Sequence, residues 1–160
     1  MKKTVLILWL IGLLLTACGY QLRQPVELNT AYQKTYLALS ITSPLYQPLY
    51  TELLNAKIDL VKTQDQSSAE LKVNTVNLER VIQSIGANNR VQEYRLEINV
   101  NFQVLANGEN LVEPQTLNMS RDYAFDIEQI TGTQQEEAIL REQLYKDMAR
   151  MIVTRISRQP

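Results

Sequence analysis

One cysteine and no histidine set the limits of the chemistry open to this 160-residue chain. Without imidazole, Ser-His and Cys-His catalysis are removed, and so is the commonest transition-metal ligand. The adjacent acids Glu136 and Glu137 could in principle serve as general acid and base, but in the first turn of a helix such a pair complements the helix dipole. No glycine-rich phosphate loop occurs. We therefore expect no catalytic residue, no metal ligand and no cofactor. The lone thiol has other chemistry available: Leu15-Thr16-Ala17-Cys18 matches the bacterial lipobox. In that motif signal peptidase II cuts before a cysteine whose sulfur is joined to diacylglycerol and whose new amino group is acylated.

The residues before Cys18 agree with that reading. Lys2 and Lys3 form a basic start, Val5 to Leu15 an apolar run, and Thr16-Ala17 a small-residue cleavage site. The run is too short for a permanent span, which needs roughly 20 apolar residues. Each buried CH₂ of an attached acyl chain contributes about 0.8 kcal/mol, so a multiply acylated Cys18 holds the protein on a membrane. Gly19 stands where an inner-membrane retention signal has Asp, which points to the outer membrane and a periplasm-facing domain. The expected organisation is a signal peptide over 1–17, a lipid-attached tether over 18–34 and a single domain over 35–160. Cleavage removes Lys2 and Lys3, leaving 14 basic groups against 17 acidic ones, the reverse of a nucleic-acid binder. With one cysteine, no disulfide forms within the chain, so burial alone must hold the core.

The remaining candidate chemistry is binding. Arg95 lies in an alternating segment beside Asn99, Asn101 and Gln103, Arg90 lies in the preceding turn, and Lys72 and Asn74 lie in a neighbouring segment. Such an amide-rich, modestly basic wall can line a hydrated cavity or contact an anionic glycolipid, because arginine grips phosphate with two parallel hydrogen bonds. The plain alternative is a solvated sheet face. Arg121 differs from these. It falls in an apolar phase, as the one charge there, and must find a partner or reach out at the sheet's rim.

The elements that position these residues follow from periodicity. Tyr94 to Val104 alternates without exception: Tyr94, Leu96, Ile98, Val100, Phe102 and Val104 on one side, polar and charged residues on the other. That is an antiparallel strand with one buried and one wet face. Asn107-Gly108 supplies a type I′ hairpin turn, and a returning strand is expected over roughly Gln115 to Phe125. In the segment from Ala69 to Ile82, Leu71 and Val73 are out of phase with Val76 and Leu78, which predicts a bulge near Thr75. Tyr36 to Ile41 reads as a first strand and Lys57 to Val61 as a short one. Ser43-Pro44 reads as a helix cap before Leu45, Leu49 and Leu53; Pro48 implies an irregular first turn or a later start. Thr133 to Glu136 has capping-box spacing and opens a final helix with the stripe Leu140, Leu144, Met148, Met151, Ile152 and Ile156. The expected fold is α+β: two helices on one face of a mostly antiparallel sheet of about four strands.

Several of these stretches resemble the lipopolysaccharide-assembly lipoproteins of the LptE type. The resemblance is carried by Cys18-Gly19-Tyr20-Gln21-Leu22-Arg23, then Pro44-Leu45, Ile58-Asp59-Leu60, Glu93-Tyr94, Arg121-Asp122-Tyr123 and Leu144-Tyr145, in that order. It implies an outer-membrane lipoprotein inside the lumen of an LptD-type β-barrel, paired one-to-one with it. There it would plug the barrel, help it to assemble and assist delivery of lipopolysaccharide to the cell surface. It also implies lipopolysaccharide contact through basic residues, for which Arg90, Arg95, Arg121 and Lys72 are the candidates here. The alternative is a lipoprotein scaffold or activator of periplasmic cell-wall enzymes, and a third reading is a hydrolase working through a carboxylate.

Overall fold

The strict alternation from Tyr94 onward becomes the middle of a long strand in the computed structural model, which describes residues 30–126, 128 and 130–158. The strands are β1 (Lys34–Ala38), β2 (Asp59–Val61), β3 (Ala69–Ile85), β4 (Val91–Ala106) and β5 (Glu109–Ala124). They form one five-stranded sheet in the order β2-β1-β3-β4-β5. β1 is parallel to both β2 and β3, whereas the β3–β4 and β4–β5 pairs are antiparallel. Two helices, α1 (Tyr46–Asn55) and α2 (Ile130–Ser157), complete the α+β fold. The short strand read at Lys57 to Val61 is β2, three residues long at the sheet's edge, and counting it brings the sheet to five.

On β4 every even residue from Leu96 to Val104 is 0% exposed, so the alternation read from the sequence is the division between core and water. The phase slip in β3 is a bulge. Val73 pairs with Phe102 and Thr75 with Asn101, so Asn74 is the extra residue, and Val76 and Leu78 return to the core side. The turn after β4 is as expected: Ala106 pairs with Glu109, and Asn107 and Gly108 take φ of 52° and 82°. β5 starts earlier than Gln115, because Pro114 falls where the ladder with β4 shifts register, on an edge strand where no amide hydrogen is demanded of it.

Both helix starts differ from expectation. Ser43 does not cap α1; its carbonyl accepts the Tyr46 amide at 2.9 Å in a preceding turn, and Leu45 occupies the cap position without a side-chain bond. Pro48 is the third residue of α1, inside the first turn, where amides have no helical partner to lose. At α2 the helix begins at Ile130, three residues before Thr133, so no capping box forms. Thr133 lies on the same helical face as Glu137, Leu140 and Leu144 and is only 7% exposed, so its side chain points inward.

Leu144, Met148, Ile152 and Ile156, with Ala149 and Val153 beside them, pack into the core shared with Leu45, Leu49 and Leu53 of α1 and the even residues of β4. At roughly 1.5–3 kcal/mol per large side chain, this burial is what fastens the second half of α2. The core also takes in Tyr32, in a 3-10 turn just before β1 and within the stretch read as tether. Its hydroxyl has no hydrogen-bond partner among the described residues, and burial pushes its pKa up. Cys18 and residues 19–29 of the tether lie outside the described residues.

Candidate functional site

With both helices packed on the core side, the other face of β3, β4 and β5 carries cross-strand rows of side chains that are polar or charged apart from Val81. From the Asn107-Gly108 end outward, opposed residues are Lys72 and Gln103, then Thr75, Asn101 and Thr116, then Asn77, Asn99 and Asn118. Next come Glu79, Glu97 and Ser120, and then Val81, Arg95 and Asp122. The amides link strands: Asn74 Nδ2 donates to Asn101 Oδ1 at 2.8 Å and Asn101 Nδ2 to Thr116 Oγ1 at 3.0 Å. Glu79 sits directly opposite Glu97, an unfavourable like-charge pairing that the Asn77 amide relieves by donating to Glu79 Oε1 at 2.6 Å. A shallow hollow of about 310 Å³ opens on this face beside Glu97, Asn99, Asn118 and Ser120.

The four basic residues expected to bind do not meet at one place. Lys72 and Arg95 share the wet face, but Gln103, opposite Lys72, is eight residues from Arg95 along β4, about 26 Å at strand rise. Arg95 is engaged by Asp122 through two parallel bonds, Nε to Oδ1 at 2.6 Å and Nη2 to Oδ2 at 3.0 Å. Asp122 is held below the ordinary carboxylate range, chiefly by that hydrogen bond. Arg90 closes the β3–β4 hairpin, its carbonyl accepting the Gly86 amide at 2.8 Å. Arg121 is on the opposite, helix-bearing face, where its Nη2 donates to Asp147 Oδ2 of α2 at 3.0 Å. It has found a partner rather than the rim.

Arg121 is not the one charge on that face. Arg80, opposite Leu96 on β3, lies there too, and the bulge at Asn74 puts it in phase with Val76 and Leu78. Arg80 Nη1 reaches Glu137 Oε2 of α2 at 3.1 Å, and its guanidinium stacks 4.5 Å from the centre of the Tyr94 ring. Tyr123 donates its hydroxyl to the same Glu137 Oε2 at 2.5 Å, and Arg141 holds Oε1 at 2.7 Å. Burial pushes the Glu137 carboxyl up, and the bonds from Tyr123, Arg141 and Arg80 outweigh it, leaving it below the usual range. Burial, then the bond to Glu137, pushes the Tyr123 hydroxyl up to about 12. Sequence reading passed over Arg80, although continuing the period-2 phase from Leu78 lands on it, and placed Glu137 in a first helical turn, whereas the helix starts at Ile130 and Glu137 faces the sheet further along it. No group of three metal-type ligands occurs among the described residues.

The family model described as LptE, lipopolysaccharide-assembly, matches residues 24–156. The chain belongs to that family. The LptE match takes in part of the expected tether, the whole sheet, α1 and all but the last residue of α2. Solved structures agree with the fold. A minor lipoprotein from Acinetobacter baumannii is 26% identical with a TM-score of 0.66, covering 79% of this chain and 91% of its own. Lipoprotein B from Nitrosomonas europaea is 22% identical with a TM-score of 0.74, covering 87% of this chain and 90% of its own. Rare lipoprotein B from Shewanella oneidensis is 22% identical with a TM-score of 0.68, covering 78% and 93%. None of the curated proteins compared matches the chain.

Proposed function

We propose that this LptE-family chain is a lipid-anchored, periplasm-facing outer-membrane protein, acylated at Cys18, that fills the lumen of an LptD-type lipopolysaccharide translocon. It does so without catalysis. The mechanism is occupancy: a rigid domain closes a barrel too wide for its own side chains to fill, and supports its assembly. The observation that carries the reading is the family match over residues 24–156, which spans nearly the whole expected mature chain. The open face of β3, β4 and β5 supports it, because rows of amides and hydroxyls are compatible with a hydrated barrel wall and bury no oil of their own. Arg90 and Arg95, at the far end of that face, are the basic residues we assign to glycolipid contact; Lys72 is at the other end, and Arg121, next to Asp122 in register, projects from the opposite face.

Epitope-tagged protein extracted in mild detergent recovers a large β-barrel in equal amount, and recovery of soluble periplasmic proteins alone overturns the proposal. Cys18→Ser abolishes incorporation of labelled palmitate and releases the domain from the membrane fraction. Charge reversal at Arg90 and Arg95 weakens lipopolysaccharide binding; unchanged binding in both variants removes the glycolipid assignment and leaves the plug role standing.

A further inference from the structure

α2 is one helix held in two different ways. Its second half is bolted to the core by Leu144, Met148, Ala149, Ile152, Val153 and Ile156, none more than 3% exposed. Its first half has almost no apolar purchase. From Thr131 to Gln143, Thr133 is buried, Glu137, Leu140 and Arg141 are half-buried, and every other side chain is exposed, including Ile139 at 49%. Gly132 lies in this stretch, and a segment this short is marginal as an isolated helix even in helix-favouring sequences. Something other than oil or propensity must keep it against the sheet.

We infer that Glu137 is a latch that straps the first half of α2 over an aromatic floor at the outer end of the sheet. The floor is Tyr94, Tyr123 and Phe125: Tyr94 is stacked obliquely 5.9 Å from Tyr123 and edge-on 5.2 Å from Phe125. The latch ties to it twice. One carboxylate oxygen takes the Tyr123 hydroxyl together with Arg80, the residue that covers the Tyr94 ring. The other oxygen takes Arg141 from the next turn of the same helix, which fixes the carboxylate's orientation. A low-stability segment joined to a high-stability one opens by itself, without global unfolding. Release of Glu137 therefore lifts residues 130–143 about a hinge near Leu144 and bares the floor beside Ile82, already 55% exposed.

This inference is independent of the barrel proposal. It is tested by hydrogen exchange on the full mature lipoprotein in detergent, comparing wild type with Glu137→Gln, which keeps the shape and removes the charge. The expected result is exchange about tenfold faster or more across 130–143, with 144–157 unchanged, the signature of sub-global opening. Tyr123→Phe removes one of the two ties and speeds the same segment by less. The double variant is no faster than Glu137→Gln by the product of the two effects, because the pair acts as a unit. Unchanged exchange over 130–143 in Glu137→Gln overturns the latch. Equal acceleration over 144–157 overturns it as well, because Glu137 would then stabilise the whole domain rather than a strap.

Discussion

At the scale of single residues, Glu137 shows how a charge earns a place on an apolar face. Three donors surround its carboxylate, and their hydrogen bonds keep it ionised against the cost of burial. Because its native pKa lies below the ordinary carboxylate value of 4.5, the unfolded chain takes up that proton first as acid is added. Its contribution is complete above 4.5 and is lost as pH falls through the lower native value. Tyr123 works in the opposite sense: with its hydroxyl raised from 10 to about 12, its contribution is present below 10 and lost as pH climbs through 12. The difference in unfolding midpoint between wild type and Glu137→Gln is therefore widest from neutral pH up to about 10. Thermal melts across the pH range should show it shrinking on the acid side below 4.5 and on the alkaline side toward 12. Arg95 and Asp122 form an equally well-aligned pair, but Arg95 is half-buried and Asp122 exposed on the open face, so screening leaves them a matter of local order rather than of stability.

At the scale of elements, β3 and β4 answer differently to the same insult. Asn74 is the extra residue of a bulge, so its removal leaves Val73 opposite Phe102 and Val76 opposite Val100, with Leu78 and Arg80 on their present side. Deleting Asn74 thus yields a folded domain lacking the Asn74–Asn101 bond and some local twist. Deleting Asn99 from β4 instead moves Val100, Phe102 and Val104 to the wet face, or Leu96 and Ile98 if the slip runs the other way. Circular dichroism and thermal melting of the two deletions should separate them completely; two folded proteins, or two unfolded ones, would contradict this account of the register. α1 and α2 add that caps are negotiable. A serine, a threonine and a well-spaced glutamate were outcompeted by where Leu45 and Thr133 had to point.

At the scale of the whole molecule, the sheet separates two jobs. Its helix side holds the fold together, and its wet side is the face the barrel proposal assigns to docking. Leu144→Ala, at a fully buried position in the helix–sheet core, costs about 2–5 kcal/mol of stability. Asn99→Trp, at the centre of the amide rows, changes stability by no more than about 0.5 kcal/mol. On the barrel proposal it nevertheless blocks close approach, so barrel recovery falls while the melting temperature holds. The converse pattern, with a destabilised domain that still recovers the barrel, would assign the open face no part in docking.

What was legible in the sequence was what depends on near neighbours. The alternation of β4, the Asn107-Gly108 turn and the bulge in β3 are all written in spacings of a few residues, where side-chain direction follows from backbone period alone. The late helix was legible as a stripe, though not its first residue. The contacts between Arg80, Tyr123 and Glu137 were decided only in three dimensions, because they join three elements separated by up to 57 positions. So was the dispersal of Lys72, Arg90, Arg95 and Arg121 over two faces and two ends of the sheet. A sequence states which way each side chain points from its own strand or helix. Which charge meets which is set by strand order and by where a helix lies across the sheet, and those follow from burying the whole core at once.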